Sequence, residues 1–313
     1  MTTISVPEKV SYLEDAEGLR KAFAGWGTNE KAVISILAHR NATQRKEIRQ
    51  AYHGLYQEDL IKRLESELSG NFEKAVYRWI LDPEERDAVL ANVALKKADD
   101  FHVIIEIACV HSAEELLAVR RAYQVRYKRS LEEDIAVHTT GDTRMLLVGL
   151  VTAYRYEGTE INAKLAESEA EKLRGAFKDK KFNHEEVIRI LTTRSKTQLM
   201  AIFNCYREDH GTSLTKDLQS EPADGFTNLL RVAIRCLGSH IKYYEKVLRN
   251  SIKRVGTDEE GLTRVIVTRA EKDLRDIKEL YYKKNSENLD HALKKETHGD
   301  YENFLLALLG NEN

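Results

Sequence analysis

Apolar residues of this chain recur at i, i+3, i+4 in blocks that repeat. Val33, Ile36 and Leu37 are followed by Ile104, Ile107 and Ala108, then Val187, Ile190 and Leu191, then Leu262, Val265 and Ile266. Such spacing lays one face of an α-helix toward a core, so each block predicts the same helix burying the same stripe. Other markers keep the same offsets. Tyr52, Leu60 and Glu67 become Tyr281, Leu289 and Glu296, then Tyr206, Leu214 and Glu221; the second copy keeps Tyr123 and Leu131 but has His138 in place of the acid. Arg40 maps onto His111, Arg194 and Arg269. Four copies of about 70 residues follow, at 12–81, 84–153, 167–237 and 242–310, after a short segment 1–11 and with a linker at 154–166. Each copy is too long for a helix pair; four or five short helices fit. The longest insertion, polar from Tyr156 to Glu169, is where two halves able to shift against each other would join.

Composition points the same way. Three prolines and many Leu, Ala, Glu, Lys and Arg predict an all-α fold. Thr28 and Thr257 are expected N-caps, and Thr257 has capping-box spacing to Glu260. The longest apolar stretch, 145–153, is too short to span a bilayer, which takes about 20 residues. The first residues lack the basic-then-apolar pattern of a secretory signal. Three cysteines, Cys109, Cys205 and Cys236, in helical surroundings suggest reduced thiols and a cytoplasmic location. A net charge of −2 gives little general attraction to phosphate, so nucleic acid is not an expected partner. Any anionic surface would need another source of positive charge, and a metal bridge would supply it.

Two loops carry the candidate chemistry. Gly25-Trp26-Gly27-Thr28 and Arg254-Val255-Gly256-Thr257 are each followed, 39 positions after the Thr, by an acid, Glu67 and Glu296. Backbone carbonyls from a glycine loop joined by a distant carboxylate make an oxygen-only ligand set, suited to a hard cation such as Ca²⁺. The corresponding segments 96–99 and 179–182 lack the pattern, and no Ca²⁺ is expected there; Glu221 keeps an acid without a proper loop. Trp26, Lys97, Lys180 and Val255 share one loop-tip position; if the four tips face the same way they are candidate membrane contacts, Trp and Val entering the headgroup region while the lysines meet phosphate.

Over essentially its whole length the chain resembles an annexin, and a plant-type annexin in particular, on the strength of the fourfold repeat and the loop-to-acid spacing. The resemblance implies about five helices per repeat, packed as a curved disc with calcium loops on the convex face. It also implies reversible, Ca²⁺-dependent binding to anionic phospholipid membranes, with the protein peripheral at membranes when calcium rises. Carried onto this sequence, the ligands are the carbonyls of Phe23, Gly25 and Gly27 with Glu67, and those of Ile252, Arg254 and Gly256 with Glu296. Arg254 departs from the pattern where a glycine should stand, which favours the first site over the fourth; its guanidinium is instead a candidate for lipid phosphate. The expected state is a monomer in solution, with self-association on membranes left open.

Rival readings are weaker. Ser35, Glu106, Arg189 and Arg264 share one helical position, and charges there need partners. Ion pairs that dock the repeats are expected; the resemblance also suggests a hydrophilic axis proposed elsewhere as an ion path. Catalysis is not expected. Plant annexins have been credited with peroxidase and nucleotide-hydrolysing activity, for which His39 as a haem ligand and Asp258-Glu259-Glu260-Gly261 as a loose nucleotide motif are the candidates. No Gly-x₄-Gly-Lys-Ser/Thr loop occurs. Cys109 with Cys236 is a candidate redox pair. Ile188-Arg189-Ile190 resembles an F-actin-binding motif, although it lies on the core stripe.

Overall fold

The structure is a computed structural model describing residues 1–25, 27–97, 101–152, 154–179, 185–220, 225–253 and 256–311. Among these residues there are α-helices, one 3-10 turn and no strand. The first repeat holds α1 (Tyr12–Ala22), α2 (Glu30–Leu37), α3 (Ala42–Tyr56), α4 (Leu60–Glu67) and α5 (Gly70–Ile80). The second holds α6 (Pro83–Lys96), α7 (His102–Val110), α8 (Ala113–Tyr127), α9 (Leu131–His138) and α10 (Gly141–Thr152). In the third come α11 (Ala163–Lys178), α12 (Glu185–Thr193), α13 (Lys196–His210) and α14 (Leu214–Asp217), then α15 (Gly225–Lys253). Ser239, extended at φ −165° and ψ 95°, breaks α15, so its second half opens the fourth repeat. That repeat continues with α16 (Glu259–Arg269), α17 (Leu274–Asn285), α18 (Leu289–Glu296) and α19 (Gly299–Leu308). Among the described residues each repeat therefore has five α-helical segments.

Repeated chemistry explains the repeated geometry. The apolar stripe is buried in every copy, except that Ile36 is only half-buried while its neighbour Ile34 turns inward. The basic position at the end of each second helix is tied to an acid. Arg40 grips Asp15 with two bonds of 2.7 Å, and Arg194 Nη2 lies 2.6 Å from Glu169. His111 Nε2 lies 2.6 Å from Asp87, and Arg269 Nε donates to Asp273 at 2.7 Å. Such pairing is what permits charge at the edge of an apolar core. The third helices all end on a left-handed residue at the same position: Gln57, Lys128, Gly211 and Ser286. The buried tyrosines Tyr52, Tyr123, Tyr206 and Tyr281 mark the same register.

The chain divides into two compact units: 1–86 with 244–313, and 87–243. The first and fourth repeats thus build one unit, and the second and third the other. Within the first, α2 and α5 pack against α16 and α19. Arg45, buried on the face of Trp79 at 3.7 Å, reaches Glu271 at 2.9 Å, so a residue of repeat one is locked to repeat four. Within the second unit the linker is packed rather than loose. Arg155 donates to the carbonyls of Leu191 and Arg194, Thr197 to that of Gly158, and Asn162 and Gln198 exchange bonds of 2.8 and 3.0 Å. The division into halves consequently does not fall at the linker.

The charges aligned with Ser35 have separate fates. Ser35 is exposed and bonds its own helix at Ala32 O; Glu106 is buried and accepts from Tyr243 Oη at 2.6 Å. Arg189 is partly exposed between Glu169 and Glu186, whereas Arg264 is buried. Ile188 and Ile190 are buried too, leaving little of that triplet at the surface. Among the described residues no helix is long and apolar enough to cross a membrane.

Candidate functional site

The loop after α1 is built by helix termination. Phe23 N–H donates to Leu19 O at 3.2 Å and Ala24 N–H to Lys21 O at 3.1 Å, closing the last turn. Gly25 and Gly27 follow at φ +105° and +85°. A Cβ at either would meet nothing within 4 Å, so the glycine requirement is conformational, not steric crowding. Asn29 N–H then donates back to Ala22 O at 2.9 Å, pinching the loop shut between two helix ends. The Phe23 ring anchors it from below, buried 6.4 Å from the Tyr52 ring.

Glu67, the last residue of α4, comes to this loop. Thr28 Oγ1 donates to Glu67 Oε2 at 2.6 Å and lies 3.3 Å from the Glu67 carbonyl oxygen. This settles a difference from the expected capping. Asn29, not Thr28, caps α2, accepting from Ala32 N–H at 3.1 Å. Asp258, not Thr257, caps α16, accepting from Gly261 N–H at 3.0 Å. Each Thr hydroxyl is drawn to the carboxylate, where a charge-assisted bond is stronger than a neutral cap.

The fourth repeat closes its loop in the same way. Asp258 N–H donates to Ser251 O at 3.0 Å, Gly256 has φ +78°, and Thr257 Oγ1 lies 3.3 Å from Glu296 Oε2. Ile252 is buried where Phe23 stands in repeat one. Arg254 and Val255 lie outside the described residues, as do Trp26 and Lys180. Lys97 is exposed just after α6, its N–H bonded to Ala94 O. In repeat two, His138 Nδ1 lies 2.7 Å from the Asp134 carbonyl of its own helix; Glu221 of repeat three is outside the described residues.

One residue here was not anticipated. Arg63, one helical turn before Glu67, places Nη2 2.6 Å from Glu67 Oε1 and 3.4 Å from Phe23 O. A cationic group therefore rests between a loop carbonyl and the distant acid. Among the described residues no group of three or more His, Cys, Asp and Glu side chains could hold a metal. Any ion here would rely on backbone oxygens plus one carboxylate.

His39 Nδ1 lies 3.1 Å from Ser5 O and borders a cavity of about 690 Å³ with Lys31 and Asn303. Burial pushes the Cys109 thiol up to about 11 and the Cys236 thiol well above its ordinary value. Both therefore stay protonated near neutrality.

Four segments, 14–79, 86–150, 168–233 and 243–308, match the annexin family profile. The chain belongs to the annexin family. Annexin-like protein RJ4 of Fragaria ananassa is 70% identical over the full length of both chains, placing this annexin with the plant-type members. Among solved structures, annexin III aligns with a TM-score of 0.92 at 31% identity, covering 100% of this annexin and 98% of the other chain. A calcium-bound annexin (Sm)1 aligns at 0.84 and 31% identity, covering 99% and 93%.

Proposed function

We propose that this annexin binds anionic phospholipid membranes through Ca²⁺ held in the loops of its first and fourth repeats, and acts peripherally at the bilayer. The observation carrying this reading is the shared closure of the two loops, each drawing a Thr hydroxyl and a helix-terminal glutamate to one glycine turn. The calcium-bound state of the annexin (Sm)1 relative is consistent with it. In repeat one the ligands would be the carbonyls of Phe23, Gly25 and Gly27 with Glu67. In repeat four they would be those of Ile252, Arg254 and Gly256 with Glu296. Ca²⁺, when bound, supplies the positive charge that links these oxygens to lipid phosphate.

The protein's own groups do the rest. Thr28 and Thr257 hold the carboxylates toward the loops, and positive-φ glycines let successive carbonyls turn aside from helical directions. One carboxylate and neutral dipoles make a weak cage, of the order of 10⁻⁴–10⁻³ M. Lipid oxygen completing the shell would tighten it by linkage. Trp26 and Val255 at the loop tips suit the headgroup region, and Lys97 and Lys180 suit phosphate.

Cosedimentation with phosphatidylserine vesicles across calcium concentration tests the proposal. The Glu67→Gln, Glu296→Gln double variant is expected to lose calcium-dependent pelleting. Undiminished pelleting would overturn the calcium sites.

A further inference from the structure

Arg63 occupies the place that the proposed first site reserves for its ion. Nη2 shares Glu67 Oε1 and Phe23 O, and the guanidinium carbon lies 5.8 Å from the centre of the Phe23 ring. Glu67 is thereby engaged on both oxygens, Oε2 by Thr28 and Oε1 by Arg63. A guanidinium and a divalent cation on the same two oxygens would repel, so the two occupancies exclude each other.

The grip on Arg63 is incomplete. Its contact with Phe23 O is long, and its buried Nε has no hydrogen-bond partner among the described residues. Nη1 lies 3.7 Å from Glu58 Oε1, a second carboxylate within reach of a small rotation. Glu58 is also held by Arg20 at 2.7 Å and lies 3.2 Å from Tyr52 Oη, which fixes it as a landing point beside the loop. In repeat four the residue one turn before Glu296 is the buried Ala292, and Glu296 is exposed with Thr257 as its described partner.

We propose that Arg63 is a tethered cation that occupies the first site when calcium is low and must move to Glu58 for the ion to enter, so that this side chain sets the calcium threshold of repeat one alone. The proposal rests on the reading of Phe23 and Glu67 as ligands. Repeat four lacks the device, and its occupancy follows the loop alone.

The experiment is calorimetric titration with CaCl₂, without lipid, in a Glu296→Gln background that isolates the first site. Arg63→Met keeps the length of the stem and removes the charge. It is expected to tighten calcium binding roughly two- to fivefold, the range set by a partly exposed ion pair. Glu58→Gln, which removes the landing carboxylate, is expected to weaken binding by a similar factor. Thermal melts in chelator, where Arg63→Met should unfold at or slightly below the parent temperature, establish that it is folded. Should Arg63→Met disrupt folding, the Glu58→Gln titration and Arg63→Lys decide: unchanged affinity in both overturns the gate. Arg63→Met binding no tighter than its parent overturns it as well. A Glu67→Gln, Glu296→Gln control that still binds as its parent does would instead overturn the site reading beneath it.

Discussion

Thr28 and Glu67, 39 residues apart, meet in a 2.6 Å hydrogen bond that ties the end of α4 to the loop after α1. The bond is charge-assisted and aims one carboxylate oxygen. Thr28→Val keeps the shape and removes the donor. It should cost about 1–2 kcal/mol of stability and raise the calcium needed for vesicle pelleting in a Glu296→Gln background several-fold. Denaturant melts and cosedimentation measure the two effects.

Gly27 sits at φ +85° with open space around it. Gly27→Ala should therefore cost about 1–2 kcal/mol through backbone strain alone. If the loop relaxes to a different turn instead, calcium response falls while the melting temperature barely moves. Melting with and without calcium separates the two routes.

The carboxylates around Arg189 predict an acid limit for the second unit. Hydrogen bonds from Arg189, then Lys172, hold the Glu186 carboxyl down at about 2. Burial would raise Glu169, but bonds from Arg194 and Arg189 outweigh it and leave it lowered. A depressed carboxylate contributes stability that is full above its ordinary value of 4.5 and fades as pH falls toward the folded value. Glu186 is about a third exposed, so solvent screening limits its share to about 1 kcal/mol or less. Arg189→Gln should be less stable than its parent at pH 7, with the gap narrowing by pH 3. Urea melts at the two pH values check the sign.

Cys109 and Cys236 should resist alkylation in the native protein. With its thiol near 11 rather than 9, Cys109 carries about a hundredfold less thiolate at pH 8, before burial further slows attack. Cys205, partly exposed, should label first. Mass spectrometry of native and urea-treated samples reads the order.

Much of this architecture was legible in the sequence, since helix period and repeat offset are local signals. The buried stripes, the tyrosine markers and the return of Glu67 to the loop after α1 all follow from spacing. Asn29 and Asp258 displaced the expected caps because Asn and Asp cap helices better than the Thr beside each of them. The distant glutamate takes up each Thr hydroxyl instead. The role of Arg63 was not legible for a related reason. That residue has no counterpart before Glu296, and its role arises only when α4 docks beside the end of α1. The pairing of repeat one with repeat four was equally hidden, because contacts such as Arg45 with Glu271 join positions far apart in the chain.

That pairing imposes an order on biosynthesis. Residues 87–243 form a contiguous stretch and can close into their unit while the ribosome is still working. Residues 1–86, made before that stretch, must wait for everything from 244 onward before α2 and α5 find α16 and α19. During translation the unit that residues 1–86 begin is thus completed after the one that follows them, and for that interval their apolar helix faces are the natural clients of chaperones.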